Sequence, residues 1–69
     1  MNVITIDEDK KAVERSFKSM NDLKKFLRHR QLYIRPTNDR LYKGIQYKAF
    51  HVYSYLKDAS PRFNQLLVL

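Results

Sequence analysis

The 69 residues include 14 Lys and Arg against 7 Asp and Glu, a formal charge of +7, with 43% hydrophobic side chains. That length holds one domain, residues 1–69, and buries only about 60% of the surface its unfolded chain exposes. Little volume is expected for a small-molecule pocket of roughly 300–1,000 Å³, so an enzyme is not expected. Cysteine is absent, which excludes a disulfide framework and thiolate metal sites. The apolar start Val3-Ile4-Thr5-Ile6 runs at once into Asp7-Glu8-Asp9, unlike a signal peptide. No run approaches the 18 or so apolar residues of a membrane span. The expected setting is cytoplasmic, away from any membrane.

Residues 3–6 alternate and are β-branched, so they read as a strand. The polar run 7–11 turns it, and 13–17 returns as a partner with Val13, Arg15 and Phe17 on one face. A helix across 6–16 is the competing reading, because Glu8, Asp9, Lys10, Lys11 and Ala12 all tolerate helix. Ser19-Met20-Asn21-Asp22 has the form of an N-cap box, with an acid where the helix dipole favours one. Leu23, Phe26 and Leu27 follow at helical spacing, which predicts an amphipathic basic helix over 20–30.

Residues 32–35 alternate again, Pro36-Thr37-Asn38-Asp39 is turn chemistry, and Arg40-Leu41-Tyr42 resumes extended structure. A short β-hairpin over 31–43 is therefore expected, broken by Gly44. Ala49, Val52, Tyr53 and Leu56 fall at i, i+3, i+4, i+7 and predict a second amphipathic helix, stopped before Pro61. Leu66-Leu67-Val68-Leu69 is too apolar to dangle in water. It is expected to pair as a C-terminal strand with 3–6, the alternative being a homodimer or partner contact. The fold class read from these elements is α+β.

Charge is distributed unevenly. Residues 1–22 hold five acids and four bases, a net of −1, whereas residues 23–69 hold two acids and ten bases, a net of +8. Such polarity marks an anion-binding face. Lys24, Lys25 and Arg28 project from one side of the capped helix, with Arg30 at its end, where they would meet phosphates or base edges. Arg35, Arg40 and Lys43 flank the hairpin turn with Tyr33 and Tyr42 between them. Aromatics among cations also suit stacking on single-stranded bases. The bland alternatives are a solvated basic surface and tyrosines serving as strand and core residues. His29 and His51 lack a partner at ligand spacing, and Asp7-Glu8-Asp9 lacks calcium-loop spacing. No metal, cofactor or catalytic residue is expected.

Two resemblances rest on these residues. The stretch from Asn21 to Leu56 resembles small excisionase-type winged-helix DNA-binding proteins. The resemblance implies a basic helix at 21–28, a wing around Pro36 and Arg40, and a closing helix at 49–56. It departs from that family at the N-terminus, where a helix is wanted and 3–17 fits a hairpin better. Val3-Ile4-Thr5-Ile6-Asp7 followed by Phe17-Lys18-Ser19, with Tyr42-Lys43-Gly44 later, is similar to the hairpin-plus-capped-helix DNA-binding segment of homing nucleases. The function expected is a non-enzymatic nucleic-acid-binding module, a DNA-binding regulator or accessory factor of phage or mobile-element type, with DNA favoured over RNA. The alternative is a small phage-type inhibitor that docks a basic, tyrosine-rich face on an acidic or nucleic-acid-binding surface of a larger enzyme.

Overall fold

The computed structural model describes all residues, Met1–Leu69. Its order is β1 (Asn2–Ile6), β2 (Ala12–Ser16), α1 (Met20–His29), β3 (Leu32–Pro36), β4 (Arg40–Tyr42), β5 (Ile45–Ser54) and β6 (Gln65–Val68). The strands form one six-stranded antiparallel sheet in the order β2-β1-β6-β5-β3, with β4 paired to β5. No helix is long and apolar enough to cross a membrane.

The N-terminal residues form the hairpin, not the helix. Asn2 pairs with Ser16 and Ile6 with Ala12. The Asp7 carboxylate accepts from the Lys11 N–H at 2.9 Å, the Asp7 C=O accepts from the Lys10 N–H at 3.0 Å, and Lys10 takes a left-handed φ of 64°. The helix starts at its cap: extended Ser19 accepts from the Asp22 N–H through Oγ at 3.4 Å. It ends where Gln31 turns left-handed (φ 56°) and donates its N–H to the Arg28 carbonyl. The chain thereby crosses from β2 on one edge of the sheet to β3 on the other.

The second helix expected over 49–56 does not exist. Residues 49–54 belong to the ten-residue strand β5, and Tyr55 and Leu56 lie just past its end, so the fold is mostly β with a single helix. Two physical reasons override the helical spacing. Ile45, Tyr47, Phe50, Val52 and Tyr53 fit a pleated surface better than a helix. The strand also buries side chains on both faces, Ala49 on one and Val52 on the other, which erases the period-2 signature and mimics a helical stripe. The closing helix that the winged-helix resemblance implies is this same strand.

The expected hairpin over 31–43 is corrected as well. β3 and β4 do not pair with each other; they lie end to end along one edge of β5, with Pro36 opposite Phe50 and Arg40 opposite Tyr47. Residues 37–39 interrupt this edge. The true hairpin turn is Lys43-Gly44, joining Tyr42 to its partner Ile45. Both turn residues have positive φ (50° and 81°), as a two-residue turn matched to strand twist requires.

Alternation divides the core between the two sheet faces. On one face Val3, Leu32, Val52, Leu66 and Val68 pack with Leu23 and Leu27 of α1 and with Phe63. On the other, Ile4, Ile6, Ala49 and Leu67 form a smaller cluster under Tyr42 and Tyr47. β6 lies between β1 and β5, with Leu66 and Leu67 fully buried. Leu66, Leu67 and Val68 of the C-terminal apolar run are thus at the centre of the sheet, paired with β1 as expected, while Leu69 is exposed.

Candidate nucleic-acid interface

The sheet face away from α1 carries no covering element. Odd-numbered residues of β3 and β5 point to it, so Tyr33, Arg35, Tyr47, Ala49, His51 and Tyr53 share it with Arg40 and Tyr42 of β4. Tyr33 and Tyr53 are directly opposed across β3 and β5, and their rings stack at 5.3 Å with 23° between planes. Tyr55, just past β5, lies 4.6 Å from Tyr33. The Arg35 guanidinium sits 5.8 Å from the Tyr33 ring, and His51 is opposite Arg35.

Farther along, Arg40 donates through Nη1 to the side-chain oxygen of Gln65 on β6. Tyr42 and Tyr47 meet edge to face at 6.2 Å, and Lys43 Nζ lies 5.5 Å from the Tyr42 ring. These two tyrosines are half-buried over the Ile4 and Leu67 cluster, whereas Tyr53 and Tyr55 are exposed at 41% and 70%. The fixed and the exposed rings therefore form two ends of one aromatic row with cations between them.

No strand from β3 to β6 contains a carboxylate. Acid enters at the margins: Glu14 of the edge strand β2, opposite Ile4, turns to the same face, and Asp7 and Glu8 share a dent of about 280 Å³ with Arg40 and His51. No cluster of three or more His, Cys, Asp or Glu side chains could hold a metal ion.

Of the nine residues the sequence singles out, Tyr33, Arg35, Arg40 and Tyr42 come together on the open face, with Lys43 at its end. Lys24, Lys25 and Arg28 are exposed on α1, on the far side of the sheet. Lys24 and Arg28 instead border a groove of about 480 Å³ between α1 and β3. Arg30 stacks on Phe26, its guanidinium 3.8 Å from the ring centroid, also on the helix side. The helix and the strand cations therefore do not form one winged gripping surface.

Sequence reasoning missed Tyr47, Tyr53, Tyr55 and His51 because it placed them on or near a helix. The alternation of Tyr47, Ala49, His51 and Tyr53 would have found them once the β-propensity of the segment outweighed its spacing. The chain matches no protein-family model, no curated protein and no solved structure.

Proposed function

We propose that the protein is a non-enzymatic nucleic-acid-binding module whose open sheet face takes single strands. The stack of exposed Tyr53 on half-buried Tyr33 beside Arg35 carries this reading. A flat sheet face with aromatic rings gives unpaired bases a platform, while cations on strands that carry no acid of their own track the phosphates. Duplex insertion fits less well, because α1 packs Leu23 and Leu27 into the core, and its Lys24 and Arg28 reach only the groove that Tyr33 and Tyr55 border, not the face that carries Arg35, Arg40 and Tyr42. A chain of this size without cysteine has no disulfide to gain from an oxidising compartment, which fits a cytoplasmic setting for that role.

Fluorescence anisotropy with single-stranded DNA, single-stranded RNA and duplex tests the reading. Single strands are expected to bind more tightly than duplex, and affinity should fall steeply between about 50 and 200 mM salt. Tyr33→Ala and Tyr53→Ala should each cost about 1–3 kcal/mol, the range for one stacked base. Unchanged affinity in both folded variants refutes the proposed face.

A second reading, recognition of an acidic protein segment, draws on the edge of the sheet. The bonds from the Tyr55 N–H to the Gln31 carbonyl and from the Thr37 N–H to the Ala49 carbonyl set the phase of the β3–β5 ladder. In that phase Leu32 and Ile34 turn their N–H and C=O groups outward, and neither makes a backbone bond outside the sheet. An extended acidic peptide could add there, with its carboxylates at Lys24 and Arg28 across the groove. Such binding would withstand moderate salt and ignore Arg35, which separates it from the first reading.

A further inference from the structure

On the helix side of the sheet a second basic site exists that the open face does not use. A concavity of about 560 Å³ lies between β2, the end of α1 and the 55–64 connection. Arg15, His29, Arg30 and Arg62 line it together with Ser54 and Ser60, and no carboxylate does. Its remaining walls are apolar, formed by Leu32, Leu56, Ala59, Pro61 and Phe63. The length of the chain predicts little room for a pocket, but this one is open to solvent and is framed by a loop, so it takes nothing from the core.

Two of the three arginines, Arg15 and Arg30, are positioned rather than neutralised. Arg15 is half-buried, with its guanidinium 5.2 Å from the Phe26 centroid and 6.0 Å from that of Phe63. Arg30 lies over the same Phe26 ring at 3.8 Å. Stacking fixes a guanidinium plane while leaving its N–H edge free. Arg15 uses only Nε, in a long 3.5 Å bond to Thr5 Oγ1, and Arg30 only Nη1, at 3.3 Å to the Phe26 carbonyl. Each guanidinium has five N–H donors, so most of theirs have no partner within the chain. The Ser54 hydroxyl accepts from the Leu56 N–H at 3.0 Å, which leaves its own proton to donate. The carbonyls at the helix end, whose negative dipole would oppose an anion, are occupied: Leu27 and Arg28 accept from the Arg30 and Gln31 N–H groups.

We propose that this pocket binds a phosphate monoester. The three guanidiniums suit a dianion with three terminal oxygens, which accepts several charge-assisted, partly bidentate bonds at once. The apolar walls and the volume leave room for the organic group attached to the phosphate. That chemistry has two sources, a free nucleoside monophosphate and the 5′-phosphorylated end of a strand. The inference does not depend on the open-face reading, since the two sites share no residue.

Calorimetric titration at about 50 mM salt with thymidine 5′-monophosphate, thymidine and inorganic phosphate tests the site. The monophosphate should saturate one site, thymidine should not bind, and inorganic phosphate should bind more weakly. The exposed double variant Arg30→Gln, Arg62→Gln should lose about tenfold or more in affinity. Lys48→Gln, an exposed cation of β5 outside the pocket, should stay within about twofold. A 5′-phosphorylated thymidine oligomer binding more tightly than its 5′-hydroxyl twin, with the gain lost in the double variant, identifies a strand end as the source. Equal binding of the two oligomers beside saturable monophosphate identifies the free nucleotide. No saturable binding of monophosphate, an unaffected double variant, or an equal loss in Lys48→Gln overturns the proposal. Circular dichroism and thermal melts of each variant separate these results from loss of fold.

Discussion

The two faces of this sheet are built from alternate residues of the same strands, yet they have different physical roles. Beneath α1 the sheet holds a conventional core, with Val3, Leu23 and Leu66 fully buried. The opposite face buries only Ile4, Ile6, Ala49 and Leu67, roofs them with Tyr42 and Tyr47, and leaves Tyr53 and Arg35 in solvent. A 69-residue chain buries too little surface to keep two complete cores. The helix-covered face supplies most of the stability. The other face is thereby free to carry, beyond the roof of Tyr42 and Tyr47, exposed rings and charges that the core does not require, and this asymmetry is the strongest structural argument for binding there.

The comparison breaks most visibly at the centre of the sheet. Leu66→Ala should destabilise by about 2–5 kcal/mol, the cost of a buried Leu with its cavity, and a small domain with about 5–15 kcal/mol in all would lose a large part of its stability. Chemical denaturation measures it. Tyr53→Ala, on the same sheet but exposed, should change stability by less than about 1 kcal/mol. If the two variants melt alike, the division of labour between the faces is wrong.

A charge comparison sharpens the same contrast. Neutralising Arg35, Arg40 and Lys43 to Gln should reduce the dependence of log affinity for single strands on log salt by about 0.7 for each phosphate that no longer meets a cation. Neutralising Lys24, Lys25 and Arg28 on α1 should reduce it less. The shortest dimension of the molecule is 19 Å, about twice the screening length of roughly 10 Å at 0.1 M salt, so beyond the groove that Lys24 and Arg28 share with Tyr33 and Tyr55 the helix cations act only weakly on the open face. Equal slopes for the two triple variants would return the helix to the binding surface.

Much of the first half of the chain was legible because local chemistry decides it. Ser19 and Asp22 cap a helix whose Leu23 and Leu27 are its only buried residues, and β-branched residues 3–6 next to a polar turn make a hairpin. The second half was misread where tertiary context decides. Residues 45–54 bury both faces, so Ala49, Val52 and Tyr53 imitate a helical stripe, and only pairing with β3, β4 and β6 reveals the strand. Pro36-Thr37-Asn38-Asp39 has stronger turn chemistry than Lys43-Gly44, yet it marks a break along one edge of β5. Composition exposed the basic residues but not their partition. Arg30 and Lys43 fall on opposite sides of the sheet, and Arg15, which the sequence places only as a hairpin residue, lines the helix-side pocket.

The most local expected effect lies at that two-residue turn, where the aromatic row ends. Gly44 has φ 81°, and a Cβ there would meet nothing within 4 Å, so Gly44→Ala carries only the backbone penalty of a left-handed non-glycine residue, about 1–2 kcal/mol. Lys43 already bears that strain at φ 50°, and a second strained residue in a two-residue loop loosens the register of Tyr42 against Ile45. Tyr42 roofs the smaller core and holds its ring near Lys43. Hydrogen exchange should therefore show faster opening of the β4–β5 pairing in Gly44→Ala, while the amides of α1 and β6 keep their protection. Loosening that spreads to β6 would mean that the two faces fold as one inseparable unit, and the open face could not then vary independently of the core beneath the helix.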